Sequence, residues 1–192
     1  MSDDDGASRR ALLSATGATL AGTAALGLAA CGRKAKTGHE SVKKVAAPIQ
    51  RLDVQILEQL LDLERRTVAA YIAGIPLLSH PDAKTAKQFL NEELEHTGEL
   101  LSLIKTAGGK GSVRTASYEL GNPVNGAEVL ALLHGLERAQ IVAYLKAIPR
   151  LQPGSVRAAA ASILANDAQH IAIIRMAQGM TAIPSAFVTG SE

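Results

Sequence analysis

The sequence predicts an all-α domain, a bundle of four helices made of two helical hairpins joined by a long crossover loop. Three observations carry this reading. A frame L-E-R-x4-A-Y-x3-I-P occurs twice, at residues 63–76 and 136–149. Each copy is followed by a short break and then by a second stretch with helical apolar spacing. The composition, 47% hydrophobic but only 3% aromatic and without tryptophan, suits close helix packing on Ala, Leu, Ile and Val better than a β-sandwich.

The helix limits follow from breakers and caps. The first helix is expected over residues 49–78. The second opens near Pro81, with proline in the first turn and Asp82 at the positive helix end, and closes at Gly108 and Gly109. The third starts at Asn125, where Asn125 and Glu128 have capping-box spacing, and runs to about residue 148. The fourth covers residues 153–178, with Gly179 as its stop. The connection over residues 108–124 is far longer than the other two. Its Gly108-Gly109-Lys110-Gly111 run lacks the spacing and the preceding strand of a phosphate loop.

Ahead of the bundle, Arg9 and Arg10 precede a weakly apolar run over residues 11–30, rich in Ala, Gly, Leu and Thr. This pattern resembles a twin-arginine export signal. Its end, Leu28-Ala29-Ala30-Cys31-Gly32, resembles the lipobox of bacterial lipoproteins, in which the chain is cut before the cysteine and the lipid is attached to it. Cys31 is the single cysteine, so the chain makes no internal disulfide, and lipidation gives that thiol a use. The organisation expected is therefore a signal over 1–31, a flexible tether over 32–48, the bundle over 49–179 and a tail over 180–192. The resemblance implies export by the twin-arginine machinery and anchoring to the membrane through lipid on Cys31. The location would be the outer face of the cytoplasmic membrane or the periplasm. A net charge of +2 and the scarcity of rings give no footprint for nucleic acid.

The polar residues on the faces that should be apolar carry the chemistry. Leu60, Glu64, Thr67 and Tyr71 share one stripe of the first helix, and Leu133, Glu137, Gln140 and Tyr144 share the matching stripe of the third. Phe89, Glu93, His96 and Leu100 line up on the second helix, as do Ile163, Asp167, His170 and Ile174 on the fourth. Glu92, Glu95 and Glu99 form a separate stripe, expected to face solvent. A buried carboxylate needs a partner, and these stripes hold no Lys or Arg. Two divalent cations would cancel a charge of about −4 from four such carboxylates. Carboxylate and imidazole donors suit iron or manganese, with zinc less favoured.

The constellation Glu64, then Glu93-Leu94-Glu95-His96, then Glu137, then Asp167-Ala168-Gln169-His170 resembles the ferritin-like superfamily of di-iron and di-manganese carboxylate proteins. That resemblance implies Glu64 and Glu137 as terminal ligands, Glu93 and Asp167 as bridges, and His96 and His170 each on one metal. The long central crossover is also the ferritin-like connection. Asp167 departs from the pattern: aspartate is one methylene shorter than glutamate, which leaves room for a one-metal or low-affinity site. Tyr71, Tyr144 and Gln140 are candidates to support the ligands by hydrogen bonds, while His134 is more in keeping with a rim position. The resemblance further implies oxidation of Fe(II), or reduction of peroxide or dioxygen, protecting the cell envelope. The alternatives are a metal-binding or structural module without turnover and an interaction bundle with an empty core. No Cys-x-x-Cys pair is present for a rubredoxin-type domain, and no fifth helix of the kind used in cages is expected after Gly179. A dimer is compatible with the sequence, which does not decide it.

Overall fold

The local signals are strong enough to set all four helices. In a computed structural model, which describes residues 47–111 and 117–192, these are α1 (Arg51–Gly74), α2 (His80–Thr106), α3 (Gly126–Ala147) and α4 (Gly154–Ala177). The residues expected to form the export signal and lipobox, Arg9, Arg10 and Cys31 among them, lie outside the described residues, as does most of the tether. Among the described residues, no helix is long and apolar enough to cross a membrane.

The repeated frame produces the same local structure twice. After α1 the Ile-Pro pair opens a 3-10 turn, Ile75–Leu77, and after α3 a second Ile-Pro pair opens Ile148–Arg150. Proline suits the first turn of each, where its missing N–H costs no helical bond. Each turn then ends in an extended residue, Leu78 and Leu151, which reverses the chain into the next helix. The expected first helix is therefore four residues shorter at its end than the apolar pattern suggests, with a tighter turn in its place.

Caps explain the remaining limits. Ser79 Oγ accepts from Asp82 N at the start of α2. Asn125 Oδ1 accepts from Glu128 N at 3.0 Å, while the Glu128 carboxylate takes Val124 N (2.8 Å) and Asn125 Nδ2 (2.9 Å). The reciprocal bond thus reaches one residue further back than in a capping box. Gly108 and Gly179 have φ of +79° and +71°, which only glycine adopts without strain. The bonds from Gly109 N to Ile104 O (2.9 Å) and from Met180 N to Arg175 O (2.8 Å) close both ends in Schellman fashion.

α1 packs against both α2 and α3, and α3 packs against α4; α2 and α4 touch less. Along α1 and α3 the neighbours Gly74 and Val129, Tyr71 and Glu137, and Glu64 and Tyr144 run in opposite order, so these two helices are antiparallel. The crossover between the hairpins returns over α1, where Tyr118 Oη donates to Asp62 (3.0 Å) and Arg66 donates to Glu119 O (3.2 Å).

Two apolar clusters fill the interior. One gathers Leu57, Leu61, Leu100, Ile104, Leu151 and Val156. The other gathers Ala70, Phe89, Val129, Leu133, Leu136 and Ile174. On every helix the candidate polar residues fall between members of the two clusters, so a polar layer lies between two apolar ones. Each fully buried Leu or Ile contributes roughly 1.5–3 kcal/mol, and this supplies the stability against which the polar layer is set.

Asp53 is a buried acid outside this layer. Its carboxylate accepts from Gln50 N (2.7 Å) and, across the bundle, from Gln152 N (2.8 Å), pinning the α3–α4 turn to the start of α1. Asp53→Ala leaves two backbone donors without this acceptor, so urea unfolding should show a loss of roughly 2–3 kcal/mol.

Candidate metal centre

The packing of the four helices brings one acid from each to the same level, and i,i+3 spacing adds a histidine on α2 and on α4. Glu64, Glu93, Glu137 and Asp167 are all fully buried, and His96 and His170 are nearly so. Their donor atoms form two groups that share Glu93. One consists of Glu93, Glu137, Asp167 and His170, the other of Glu64, Glu93 and His96. His170 Nδ1 stands 3.2 Å from Glu93 Oε1 and 3.3 Å from Glu137 Oε1. His96 Nδ1 stands 3.6 Å from Glu64 Oε2, 3.8 Å from Glu93 Oε1 and 3.6 Å from Asp167 Oδ1. Asp167 belongs to the His170 group only, although its Oδ1 also stands 3.6 Å from His96 Nδ1.

Around these six residues runs a crossed set of hydrogen bonds. Tyr71 Oη donates to Glu137 Oε1 at 2.7 Å, and Tyr144 Oη donates to Glu64 Oε1 at 2.5 Å. Each repeat's tyrosine therefore holds the other repeat's glutamate. Gln140 Nε2 donates to Glu64 Oε2 (2.8 Å) and to Glu93 Oε2 (3.0 Å), and its own Oε1 accepts from Thr67 Oγ1 (2.9 Å). Gln140 and Thr67 occupy equivalent positions of the repeat, so one bond joins the two halves. His134 lies outside both groups of donors.

Glu92 corrects the expectation of a solvent-facing acid. Its side chain is 29% exposed, and Oε2 is 2.6 Å from His170 Nε2. The bond orients the ring so that Nδ1 faces the acids. Its companions on that stripe, Glu95 and Glu99, are exposed. The available signal was adjacency: Glu92 precedes Glu93 as Asn166 precedes Asp167, a polar residue at the same place in both halves. Phe89 covers the other side of His170, stacked at 4.1 Å between ring centroids.

Whether metal ions fit is tested by what the hydrogen bonds leave unused. Glu93 Oε1, Glu137 Oε2, both oxygens of Asp167, and Nδ1 of His96 and of His170 are buried without a hydrogen-bond partner. Buried polar atoms are rarely left so, and here the six belong to five residues of the two groups whose donor atoms lie within ligand spacing. All are oxygen or imidazole donors, which hard and borderline cations accept. A buried carboxylate–histidine group of this kind could hold metal ions.

The electrostatics point the same way. Burial raises Glu64 to about 7, against hydrogen bonds that lower it. Burial likewise raises Glu93 to about 7, with the charge of Glu64 adding to it. Burial raises Glu137, helped by the charge of Glu93, and lifts Asp167 well above the usual carboxylate range, helped by the charges of Glu137, Glu64 and Glu93. Burial alone would lower His170, but its contacts with Glu137, Glu93 and Glu92 outweigh that and raise it to about 11. For His96 burial prevails and lowers it. Without cations the cluster thus takes up protons.

The pattern of the ferritin-like domain matches residues 52–180, and the chain belongs to that family. In fold it is similar to the crystal structure of a conserved hypothetical protein from Mycobacterium tuberculosis, with a TM-score of 0.63 at 18% identity, over 70% of this chain and 96% of that one. No protein of curated function matches the sequence.

A pH dependence follows from these shifts. Glu64 and Glu93 bind protons more tightly folded than unfolded. Their stabilisation is full below about pH 4.5 and is lost as the pH rises through about 7. His170 acts in the same sense, full below about 6.5 and lost toward about 11. Calorimetry of metal-free protein should therefore show Tm falling from pH 5 to pH 8, by roughly 4 °C for each kcal/mol lost. Saturating Mn(II) should flatten the curve.

Proposed function

We propose that the buried centre holds two divalent ions, iron or manganese, with Glu64, Glu93, His96, Glu137, Asp167 and His170 as ligands, and that the protein is a di-metal oxidoreductase. The supporting observation is the convergence of six buried, unpartnered oxygen and imidazole atoms in a layer without lysine or arginine. Bound there, two redox-active ions would supply the change of oxidation state needed to reduce peroxide or dioxygen, or to oxidise Fe(II) as substrate.

The chain's own residues do the rest. Glu93, common to both donor groups, is the natural link between the two positions. Tyr71 and Tyr144 hold a proton at one oxygen of Glu137 and of Glu64, which keeps those carboxylates oriented and leaves Glu137 Oε2 without a protein donor. The apolar clusters on either side exclude water and strengthen every interaction between charges. His96, with 11% of its side chain exposed, gives a small oxidant or an Fe(II) ion a short way in.

The reading extends to the cell envelope. The Arg9-Arg10 pair and the Leu28-Ala29-Ala30-Cys31 run support export by the twin-arginine route and a lipid anchor on Cys31. At the outer face of the cytoplasmic membrane or in the periplasm, the centre would remove peroxide or Fe(II) before they react together.

Metal analysis of protein exported from its native host, beside a Glu93→Ala/His170→Ala variant, tests the centre. About two equivalents of iron or manganese in the parent and loss in the variant are expected; equal trace metal in both would end the reading. Stopped-flow mixing with Fe(II) and with peroxide then tests turnover. Two bound ions with no consumption of either would leave a binding module instead of an enzyme.

A further inference from the structure

The two halves of the centre are related by the sequence repeat and share the tyrosine-to-glutamate bond, yet they differ in donor number, in cover and in the residue behind each imidazole. The group containing His170 has four residues, and the group containing His96 has three. In the first, Glu137 Oε2 and both Asp167 oxygens are free of hydrogen bonds. In the second, both Glu64 oxygens already accept, from Tyr144 and Gln140. The His170 side chain is 1% exposed, and Phe89 stacks on it. Ile163 holds the position equivalent to Phe89, and it lines a surface recess together with His96.

The residues behind the imidazoles differ in charge. Glu92 is hydrogen-bonded to His170 Nε2. The equivalent residue of the other half is Asn166, which stands beside His96 and carries no charge. A carboxylate behind a metal-binding imidazole fixes its tautomer and raises its basicity, and losing such a partner typically costs about 10–100-fold in metal affinity. The recess over His96 runs along the α2–α4 seam and is bordered by Glu92, Glu95, His96, Asn166 and Gln169. Its two acids favour the approach of a cation.

We propose that Glu92, acting through His170, makes the two metal positions unequal: the one formed by Glu93, Glu137, Asp167 and His170 fills first and retains its ion, while the one formed by Glu64, Glu93 and His96 fills second and exchanges through the recess. This rests on the dinuclear reading above. Glu92 is a positioning residue, since it touches the imidazole and not the ion. The ion that leaves and returns is the one beside His96, so the second position is where an Fe(II) substrate would enter.

Titration of the metal-free full chain with Mn(II), followed by calorimetry and by the electron paramagnetic resonance signal of unbound Mn(II), tests the proposal without any turnover. The unaltered chain should bind two ions in steps at least about 10-fold apart. Glu92→Gln should weaken the first step about 10–100-fold and affect the second, which it meets only as one of two acids bordering the recess, by much less. His96→Ala should abolish the second step alone. Asn166→Asp, at a half-buried position, should tighten the second step and narrow the gap. Two equal steps in the unaltered chain, or a Glu92→Gln variant with the first step intact, would overturn the proposal. No Mn(II) bound by any form would overturn the dinuclear reading itself, a result distinct from two equal steps.

Discussion

The constraint on which the structure depends is the burial of four carboxylates in one layer of a helical core whose described residues set no lysine or arginine among them and only His170 as a cationic partner. Removing such groups from water is costly, and their mutual repulsion adds to that cost. The bundle answers with hydrogen bonds from Tyr71, Tyr144 and Gln140, with proton uptake, and with a set of donor atoms left open. The first device covers only part of the cluster. Glu137 Oε2 and both oxygens of Asp167 receive no protein donor, and it is this incompleteness, set between two fully apolar clusters, that distinguishes a candidate metal centre from a satisfied polar core.

The repeat gives this arrangement its economy. One helical hairpin, used twice, supplies a glutamate and a tyrosine from its first helix and an acid and a histidine from its second. Because α1 and α3 run antiparallel, the tyrosine of each copy reaches the glutamate of the other. Each half therefore orients the other's acid, and neither hairpin can present its site alone. Stability and site geometry are joined in the same contacts, which ties the exact placement of the acids to the packing of α1 on α3.

Departures from the repeat carry as much information as the repeat. Thr67 and Gln140, Phe89 and Ile163, Glu92 and Asn166, and Glu93 and Asp167 are equivalent pairs whose members differ. Together they distribute hydrogen bonds, cover and charge unevenly between two positions that would otherwise be alike. A centre with distinct halves can hold one partner while it meets another, a useful property where small cations and oxidants come and go.

The helices, their glycine stops and the inward stripes were legible in the sequence because they depend on neighbours three and four residues apart, and a helix converts that spacing into a face. The register of Glu64, Glu93, Glu137 and Asp167 could be read in the same way. Glu92 was misjudged because periodicity places it with Glu95 and Glu99, and only the approach of α4 decides that one of the three meets an imidazole. Asp53 escaped notice for a similar reason: its acceptor role spans the bundle to Gln152 N, far along the chain. What the sequence by itself determined was which residues face inward, since that is a matter of local geometry. Which of them meet, which atoms remain unpartnered and how the two halves differ were decided by tertiary structure alone, because those properties arise from distances between helices.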